Sequence, residues 1–253
     1  MNLVFASGFG LPQGLPIIDY FNGVKERFGG QHDILFPAVQ PVGRSEQRAR
    51  RLADAIRDRQ FQGPIHIIAH SMGGLDSRYL IGANHHGLAE PGRIKTLTTL
   101  STPHKGSPIA DLLLGWFFTR LLYRAVTGSI GALGIIATGA LEDLTAEGAA
   151  KVPNILESHP HISVHCYGAT GRTSGKPTSV PFRPSYDYIF DHFHQPNDGL
   201  VAAESAKYGE FQGNLPCDHA DLIGHDLDFG RTGFAAIHLA AYQKIIDGLP
   251  ARM

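Results

Sequence analysis

The chain alternates between short apolar runs and longer amphipathic segments, and this alternation predicts most of its secondary structure. Runs rich in apolar and β-branched residues, which are typical of buried strands, lie at residues 3–6, 34–39, 65–69, 94–100 and 162–167. Segments with helical spacing lie at residues 45–59, 71–81, 140–156 and 232–246, and Ser45 with Glu46 is expected to cap the first of them. The order of these elements predicts an α/β fold with a mainly parallel central sheet and helices on both faces.

The alternation is interrupted once, after Lys105. Residues 107–156 form a helical, apolar, glycine-containing insertion, which predicts a lid or cap on a single domain of residues 1–253. Residues 125–141 carry no charge, and their length of 17 residues is at the low end for a membrane span. Because they include four glycines and lie between two motifs of a soluble fold, we expect no transmembrane segment. Residues 168–197 are predicted to be rich in loops.

Composition and charge narrow the class of protein. A length of 253 residues with 43% hydrophobic and 18% charged residues is typical of one large globular domain. The formal net charge of −1 gives no electrostatic reason to expect a nucleic-acid partner. Cys166 and Cys217 allow either one disulfide or two thiols. Met1 leads directly into a predicted strand with no visible signal peptide, so secreted and cytoplasmic locations both stay open.

The segment Ala69-His70-Ser71-Met72-Gly73 is the strongest candidate for chemistry. It lies between an apolar strand and a helical pattern, which is the context of a nucleophile elbow. This turn strains the backbone of its serine and tolerates only small residues two positions away on each side. Ala69 and Gly73 satisfy that condition, and Gly74 allows the following helix to pack closely. The sequence therefore predicts Ser71 as a nucleophile.

A serine nucleophile needs a histidine base and a carboxylate that orients the histidine, and in this type of elbow they follow in the order Ser, Asp or Glu, His. Asp198 lies in an Asn-Asp-Gly turn, which is also compatible with an ordinary turn. His219, His225 and His238 follow it. His219 is the favoured base because it lies in a polar loop, His225 is the alternative, and His238 is expected on the surface of the last helix.

An oxyanion hole requires two backbone N–H donors. One comes from the residue after the nucleophile, which is Met72, and the other from the loop after an early strand. Ser7-Gly8-Phe9-Gly10 is placed for the second, with the Phe9 N–H as the candidate. The alternative is that these glycines only turn the chain.

Several motifs together resemble the bacterial true lipases, the triacylglycerol lipase family of the Pseudomonas and Burkholderia type. They occur in the family order and are the segments at residues 71–79, 102–107, 144–147, 197–201 and 219–221. The resemblance implies an α/β-hydrolase fold with Ser71 as nucleophile, Asp198 as acid and His219 as base, and oxyanion donors at Phe9 and Met72. It also implies a mobile lid between Ser107 and about residue 156. A fixed helical cap is the alternative.

The same resemblance implies a structural calcium ion beside the histidine loop. Asp221 matches one ligand, and Asp187 is the better candidate for the second, with Asp191 as the other. The chain departs from the family where Ser7-Gly8 replaces the usual His-Gly and where Ala69 replaces a glycine. Glu204 stands near a position where many members have a cysteine, so no equivalent disulfide is expected.

Other histidines have alternative interpretations. Asp187, Asp191, His192 and His194 could form a zinc cluster, although such residues on a polar loop are usually solvated. His104 is expected to make a buried structural hydrogen bond. His70 is expected to point away from the site.

These observations predict a serine carboxylester hydrolase, a lipase that cleaves lipid esters such as triacylglycerols through an acyl-enzyme and needs no cofactor for its chemistry. An esterase, thioesterase or polyester depolymerase with the same triad is the alternative. A non-catalytic α/β-hydrolase that binds a lipid or a partner through the apolar insertion is more remote, because all three triad residue types are present.

Overall fold

A computed structural model describes residues 1–9, 19–115, 138–172, 178–228 and 236–250. Its centre is a six-stranded sheet in the order β2-β1-β3-β4-β5-β6, with every neighbouring pair parallel. The strands are β1 (Asn2–Ala6), β2 (Asp33–Leu35), β3 (Ile65–His70), β4 (Ile94–Leu100), β5 (Ser163–Ala169) and β6 (Glu210–Leu215). The predicted fold class is confirmed: a mainly parallel sheet with helices, as in α/β-hydrolases.

Eight helices are assigned complete bounds in the described part of the chain. They are α1 (Val24–Phe28), α2 (Ser45–Arg59), α3 (Met72–Gly82), α4 (Thr138–Leu144), α5 (Ala146–Ala150), α6 (Ile155–Ser158), α7 (Arg183–Phe193) and α8 (Ala236–Asp247). Short 3-10 turns lie at His85–Gly87, Val180–Phe182 and Asp221–Ile223. A further helical segment is described over residues 108–115.

Two apolar cores cover the two faces of the sheet. On one face, α2 and α3 pack on alternate residues of the strands, including Val4, Ile67 and Leu97. On the other face, α1 and α8 pack on residues such as Phe5 and Ile68. Successive side chains of a strand point to opposite faces, so each central strand supplies both cores. The continuously buried pattern of β1 and β3 follows from this double coverage.

Four elements differ from the sequence prediction. The predicted helix over residues 140–156 is three shorter helices, because Thr145 and Asn154 each begin a new helix by accepting a backbone N–H at its start. Residues 183–193, within the predicted loop region, form α7. β6 was not predicted, since its mixed sequence alternates weakly. Ser45 is the first residue of α2 rather than its cap, and its N–H donates to Asp143 Oδ2 at 2.6 Å.

The predicted insertion at residues 107–156 is described only at its two ends, and its middle, residues 116–137, lies outside the described residues. The described ends pack with Met72 and Leu75 of α3 in a small apolar cluster that includes Ala110, Leu144 and Val152. No helix among the described residues is long and apolar enough to cross a membrane.

Candidate active site

The carboxyl ends of the parallel strands bring the predicted site residues to one edge of the sheet. β3 ends at His70, and Ser71 lies between it and α3. Ser71 adopts φ 55° and ψ −131°, a conformation that is strained for any residue with a side chain. Its N–H donates to the Leu100 carbonyl at 2.9 Å, and its own carbonyl accepts from the Thr102 hydroxyl at 2.8 Å. Neighbouring strand ends therefore hold the strained turn that the sequence predicted.

The glycines after Ser71 are required by close contacts. A Cβ atom at Gly73 would lie 2.4 Å from the Ala6 carbonyl oxygen, and one at Gly74 would lie 2.1 Å from Thr102 Oγ1. Neither contact is tolerated by a real side chain. The start of α3 therefore rests directly on the ends of β1 and β4, which is the close packing expected for this motif.

The structure brings Ser71, His219 and Asp198 into one hydrogen-bonded chain. Ser71 Oγ lies 3.0 Å from His219 Nε2, and His219 Nδ1 lies 2.7 Å from Asp198 Oδ2. The other carboxylate oxygen of Asp198 accepts the N–H groups of Leu200 at 3.0 Å and Val201 at 2.7 Å. Asp198 is fully buried, so these bonds orient its carboxylate towards the imidazole.

The two alternative histidines have other partners. His225 Nε2 donates to the Asp19 carbonyl at 2.8 Å, and the ring of His225 lines the cavity described below. His238 Nε2 donates to the Asn22 carbonyl at 2.7 Å. The predicted surface position of His238 is wrong: only 3% of the residue is exposed, because α8 turns this side chain towards the loop before α1.

The loop after β1 approaches the nucleophile closely. A Cβ atom at Gly8 would lie 2.6 Å from Ser71 Cβ, so only glycine allows this approach. The Gly8 N–H donates to the Tyr20 hydroxyl at 2.7 Å, and Phe9 lines the cavity beside Ser71. Phe9 follows Gly8 in this loop, and its role as an oxyanion donor stays a prediction.

His70 does not point away from the site, which corrects the expectation from sequence. Its ring lies 4.5 Å from the ring of His219, and its Nδ1 lies 2.8 Å from the Tyr20 hydroxyl. The same hydroxyl accepts the Gly8 N–H, so Tyr20 joins Gly8 to His70. Burial holds the pKa of His70 well below its ordinary value, and the neighbouring His219 adds to this effect. A buried, neutral His70 therefore links the oxyanion loop to the predicted base.

A buried arginine supports the same loop. Arg48 donates to the carbonyls of Ser7 at 2.7 Å and Gly8 at 3.0 Å, and to Asp76 Oδ2 at 2.8 Å. Both members of the ion pair are buried. Burial raises the pKa of Asp76 to about 7, although Arg48 opposes this shift. Sequence analysis missed this pair because Arg48 occupies an amphipathic helix in which most charges face water.

An apolar cavity of about 580 Å³ lies over Ser71 and His219. Its wall is contributed by the described ends of the predicted insertion, by the loop of Asp198 and by the histidine loop. The apolar side chains that line it include Phe9, Ile109, Leu113, Leu141, Leu144, Phe182, Leu200, Val201, Ile223 and Leu227. This volume and lining fit an apolar ligand with a single polar reacting group.

The residues predicted to bind calcium do not fit that ion. Arg172 Nε and Nη2 donate to the two carboxylate oxygens of Asp221 at 2.9 and 2.7 Å, so a guanidinium occupies the edge a metal would use. Asp187 is exposed on α7. Burial raises the pKa of Asp221 to about 6, and Arg172 opposes this shift. Arg172 itself carried no sequence signal, because it lies in a loop with no motif around it.

The remaining predictions concern metals and cysteines. Within the described ranges, no group of three or more His, Cys, Asp or Glu side chains is arranged to hold a metal ion. Asp191, His192 and His194 are exposed around the end of α7, so the structure does not support the zinc cluster. Cys166 and Cys217 are both buried thiols.

His104 makes the buried hydrogen bond that was predicted. Its Nε2 lies 3.1 Å from Thr99 Oγ1, and its Nδ1 lies 3.3 Å from Arg78 Nη1. The residue is 6% exposed and its ring stacks on that of Tyr208. It therefore contributes to packing behind the site rather than to the cavity.

Sequence comparisons connect the chain to lipases. A family model described as the PGAP1-like alpha/beta domain matches residues 45–127, which include the elbow. The chain is 30% identical over 221 residues to Triacylglycerol lipase 2 of Saccharomyces cerevisiae, covering 81% of this chain and 62% of the yeast protein. It thus spans less than two thirds of that relative. It is 24% identical over 238 residues to Triacylglycerol lipase of Vibrio cholerae, covering 81% of this chain and 74% of that protein.

Solved structures agree on the fold. The Staphylococcus hyicus lipase superposes with a TM-score of 0.72 at 19% identity, over 97% of this chain and 94% of that one. The mature Bacillus licheniformis lipase BlEst2 gives a TM-score of 0.66 at 19% identity, over 97% of this chain and 91% of that one. The specific resemblance to triacylglycerol lipases of the Pseudomonas and Burkholderia type stays a prediction. The chain therefore has the α/β-hydrolase fold and is similar in sequence to the triacylglycerol lipases of yeast and Vibrio cholerae.

Proposed function

We propose that the chain is a serine carboxylester hydrolase of the lipase type, which cleaves lipid esters such as triacylglycerols. The observation that carries the proposal is the hydrogen-bonded chain Ser71–His219–Asp198 at the wall of a large apolar cavity. The names of the yeast and Vibrio relatives agree with this substrate class.

In the proposed reaction, His219 Nε2 takes the proton of Ser71 as Oγ attacks the ester carbonyl carbon. The N–H groups of Phe9 and Met72 stabilise the oxyanion that forms. His219 then gives its proton to the leaving alkoxide, which departs as an alcohol and leaves an acyl-serine. A water molecule, deprotonated by His219, attacks the acyl carbon, and His219 returns this proton to Ser71 Oγ as the acyl–oxygen bond breaks and the carboxylic acid leaves. Asp198 keeps the imidazole in the reactive tautomer throughout.

The insertion at residues 107–156 is proposed to act as a lid or cap over the acyl site. Its described ends provide Ile109, Leu113, Leu141 and Leu144 to the cavity wall. Leu112 and Leu113 also leave 45% and 44% of their surface exposed. Exposed apolar side chains beside an apolar cavity suit contact with a lipid surface.

The test measures hydrolysis of p-nitrophenyl butyrate and of emulsified triolein by the wild type, by Ser71→Ala and by the exposed control Ser158→Ala. We expect Ser71→Ala to lose both activities and its labelling by a fluorophosphonate probe, with an unchanged unfolding temperature. Activity retained by Ser71→Ala would refute the proposal. Turnover of butyrate without triolein would instead indicate an esterase, thioesterase or polyester depolymerase with the same residues.

A further inference from the structure

The loop that carries His219 has little regular secondary structure. β6 ends at Leu215, and the only helical turn described between there and residue 228 is Asp221–Ile223. The position of this loop nevertheless determines the two hydrogen bonds that His219 makes in the proposed reaction, one to Ser71 Oγ and one to Asp198 Oδ2. Backbone hydrogen bonds hold parts of the loop, such as the one from the His219 N–H to the Asp198 carbonyl at 3.0 Å, and a cluster of charged side chains adds to them.

A single arginine bonds the side chains of this loop. Beyond its two bonds to Asp221, Arg172 donates from Nη1 to Asp228 Oδ2 at 2.7 Å and from Nη2 to Asp226 Oδ1 at 3.2 Å. Its Nη2 also lies 3.5 Å from Asp218 Oδ2. The Arg172 side chain is only 3% exposed, and those of Asp218 and Asp221 are fully buried. Four carboxylates thus converge on one buried guanidinium.

The same cluster connects a second segment to the loop. Asp218 Oδ2 accepts the Ser179 N–H at 2.8 Å and the Thr178 hydroxyl at 3.2 Å, and Ser179 Oγ accepts from Arg172 at 3.0 Å. Asp228 Oδ1 accepts the Val180 N–H at 2.7 Å. Arg172 lies three residues after β5, so the cluster ties the end of that strand to the loop on both sides of His219.

We propose that Arg172 is the positioning residue for His219 and that its guanidinium takes the place of a metal ion in the histidine loop. A divalent cation in this position would be surrounded by carboxylates, and the guanidinium instead satisfies them with planar, directed N–H donors. In the described part of the chain, Arg172 bonds the loop carboxylates and Ser179 and does not line the cavity, so its expected effect on His219 passes through the loop. This inference rests on the proposed function, in which His219 is the base.

The experiment compares full-length wild type, Arg172→Ala, Arg172→Lys and the exposed control Arg59→Ala. kcat and KM for p-nitrophenyl butyrate, the rate of fluorophosphonate labelling and the unfolding temperature are measured well below the melting range of each variant. We expect Arg172→Ala to lower kcat and the labelling rate by about 100-fold with KM nearly unchanged, as a displaced base does. Arg172→Lys should recover part of kcat, because it restores the charge but not the planar fork. Arg59→Ala should match the wild type.

A second experiment, on the wild type alone, tests whether the Arg172 guanidinium takes the place of a metal ion. Its unfolding temperature and labelling rate should be the same after dialysis against a chelator and after addition of calcium. A loss in chelator would overturn the inference, as would an Arg172→Ala variant with full kcat. If Arg172→Ala does not fold, Arg172→Lys provides the test. A wild-type kcat in that variant would show that the planar guanidinium is not required to position His219, and would overturn the inference. Absence of hydrolysis and of labelling in the wild type would instead refute the proposed function.

Discussion

Two regions of the molecule meet at His219 and are held by different forces. The nucleophile region, formed by the ends of β1, β3 and β4, is held by backbone contacts so close that Gly8, Gly73 and Gly74 accept no Cβ atom. In the histidine loop, residues 216–228, a cluster of charged side chains around Arg172 adds to the backbone hydrogen bonds. We therefore expect larger side chains at these glycines to disrupt the nucleophile region, and loss of the Arg172 charge to disrupt the histidine loop.

A buried arginine supports each region, Arg48 the oxyanion loop and Arg172 the histidine loop, and the two make different kinds of contact. Arg48 pairs with a single carboxylate, Asp76, and spends its other donors on the backbone carbonyls of Ser7, Gly8 and Gln40. In the described ranges, Arg172 donates to the side chains of Asp221, Asp226, Asp228 and Ser179. Arg48 thus fixes the backbone of the oxyanion loop through its carbonyl groups. Arg172 instead holds the carboxylates on either side of His219.

The largest expected effect is at the contact between the two regions. Asp198→Asn would present an amide to His219 Nδ1 and favour the wrong imidazole tautomer, so kcat should fall by a factor on the order of 10⁴. The fold should be kept, since the side chains have the same shape. Steady-state kinetics and thermal unfolding measure both. The exposed control Asp187→Asn should leave kcat unchanged, and an active Asp198→Asn would mean that another group orients the histidine.

Removing the buried arginine of the nucleophile region should cost stability. Arg48→Met leaves Asp76 buried without its partner, and we expect a loss of about 3–5 kcal/mol in the free energy of unfolding. Denaturant unfolding gives this value. Arg50→Met is the matched control on the same helix, because the Arg50 side chain is exposed and its ion pair among the described residues is with Glu46, one helical turn away. Its effect should stay within about 0.5 kcal/mol. Equal losses in both variants would contradict the structural role of the pair.

Tyr20→Phe tests the link between the two regions. It removes the hydroxyl that joins the Gly8 N–H to His70, and an unpaired buried polar group costs about 1–3 kcal/mol. We expect kcat to fall roughly 10-fold, because the oxyanion loop loses its anchor. Tyr208→Phe is the control, since its hydroxyl likewise joins a backbone N–H, that of Ile155, to a side chain, far from the cavity. If both variants have the wild-type kcat, the link does not matter for catalysis.

A last expected effect is a pH dependence of stability that arises near the start of β3, the strand that leads to Ser71. Burial lowers the pKa of His66 from 6.5 to about 4, so the unfolded chain binds the extra proton between these values. The stabilisation from neutral His66 is fully present above pH 6.5 and is lost as the pH falls through about 4. His66→Gln should reduce the slope of the unfolding free energy in this range by up to about 1.4 kcal/mol per pH unit.

Chemical denaturation at several pH values measures that slope. The control His192→Gln, on the exposed part of α7, should keep the wild-type slope. An unchanged slope in His66→Gln would show that the proton uptake on unfolding comes from other groups.

The parts of this protein that the sequence determined are those built from neighbouring residues. The elbow is one example: strand, strained serine, small residues and helix are consecutive, so local stereochemistry alone indicates Ser71. The parallel sheet is another, because apolar runs alternate with amphipathic segments along the chain. The order of Ser71, Asp198 and His219 and the resemblance to lipases narrowed the remaining site residues to a few candidates.

The side chains that hold the site residues in place were identified only from the tertiary structure. Arg172 lies 46 residues from Asp218 along the chain and has no motif, and its role arises from a convergence of charges that no local pattern encodes. His70 faces His219 rather than away from it because the loop after β6, an edge strand, reaches back across the sheet to the elbow after β3. Sequence determines geometry where the interacting atoms are neighbours in the chain. Where desolvation and charge pairing join distant segments, the folded arrangement alone determines it.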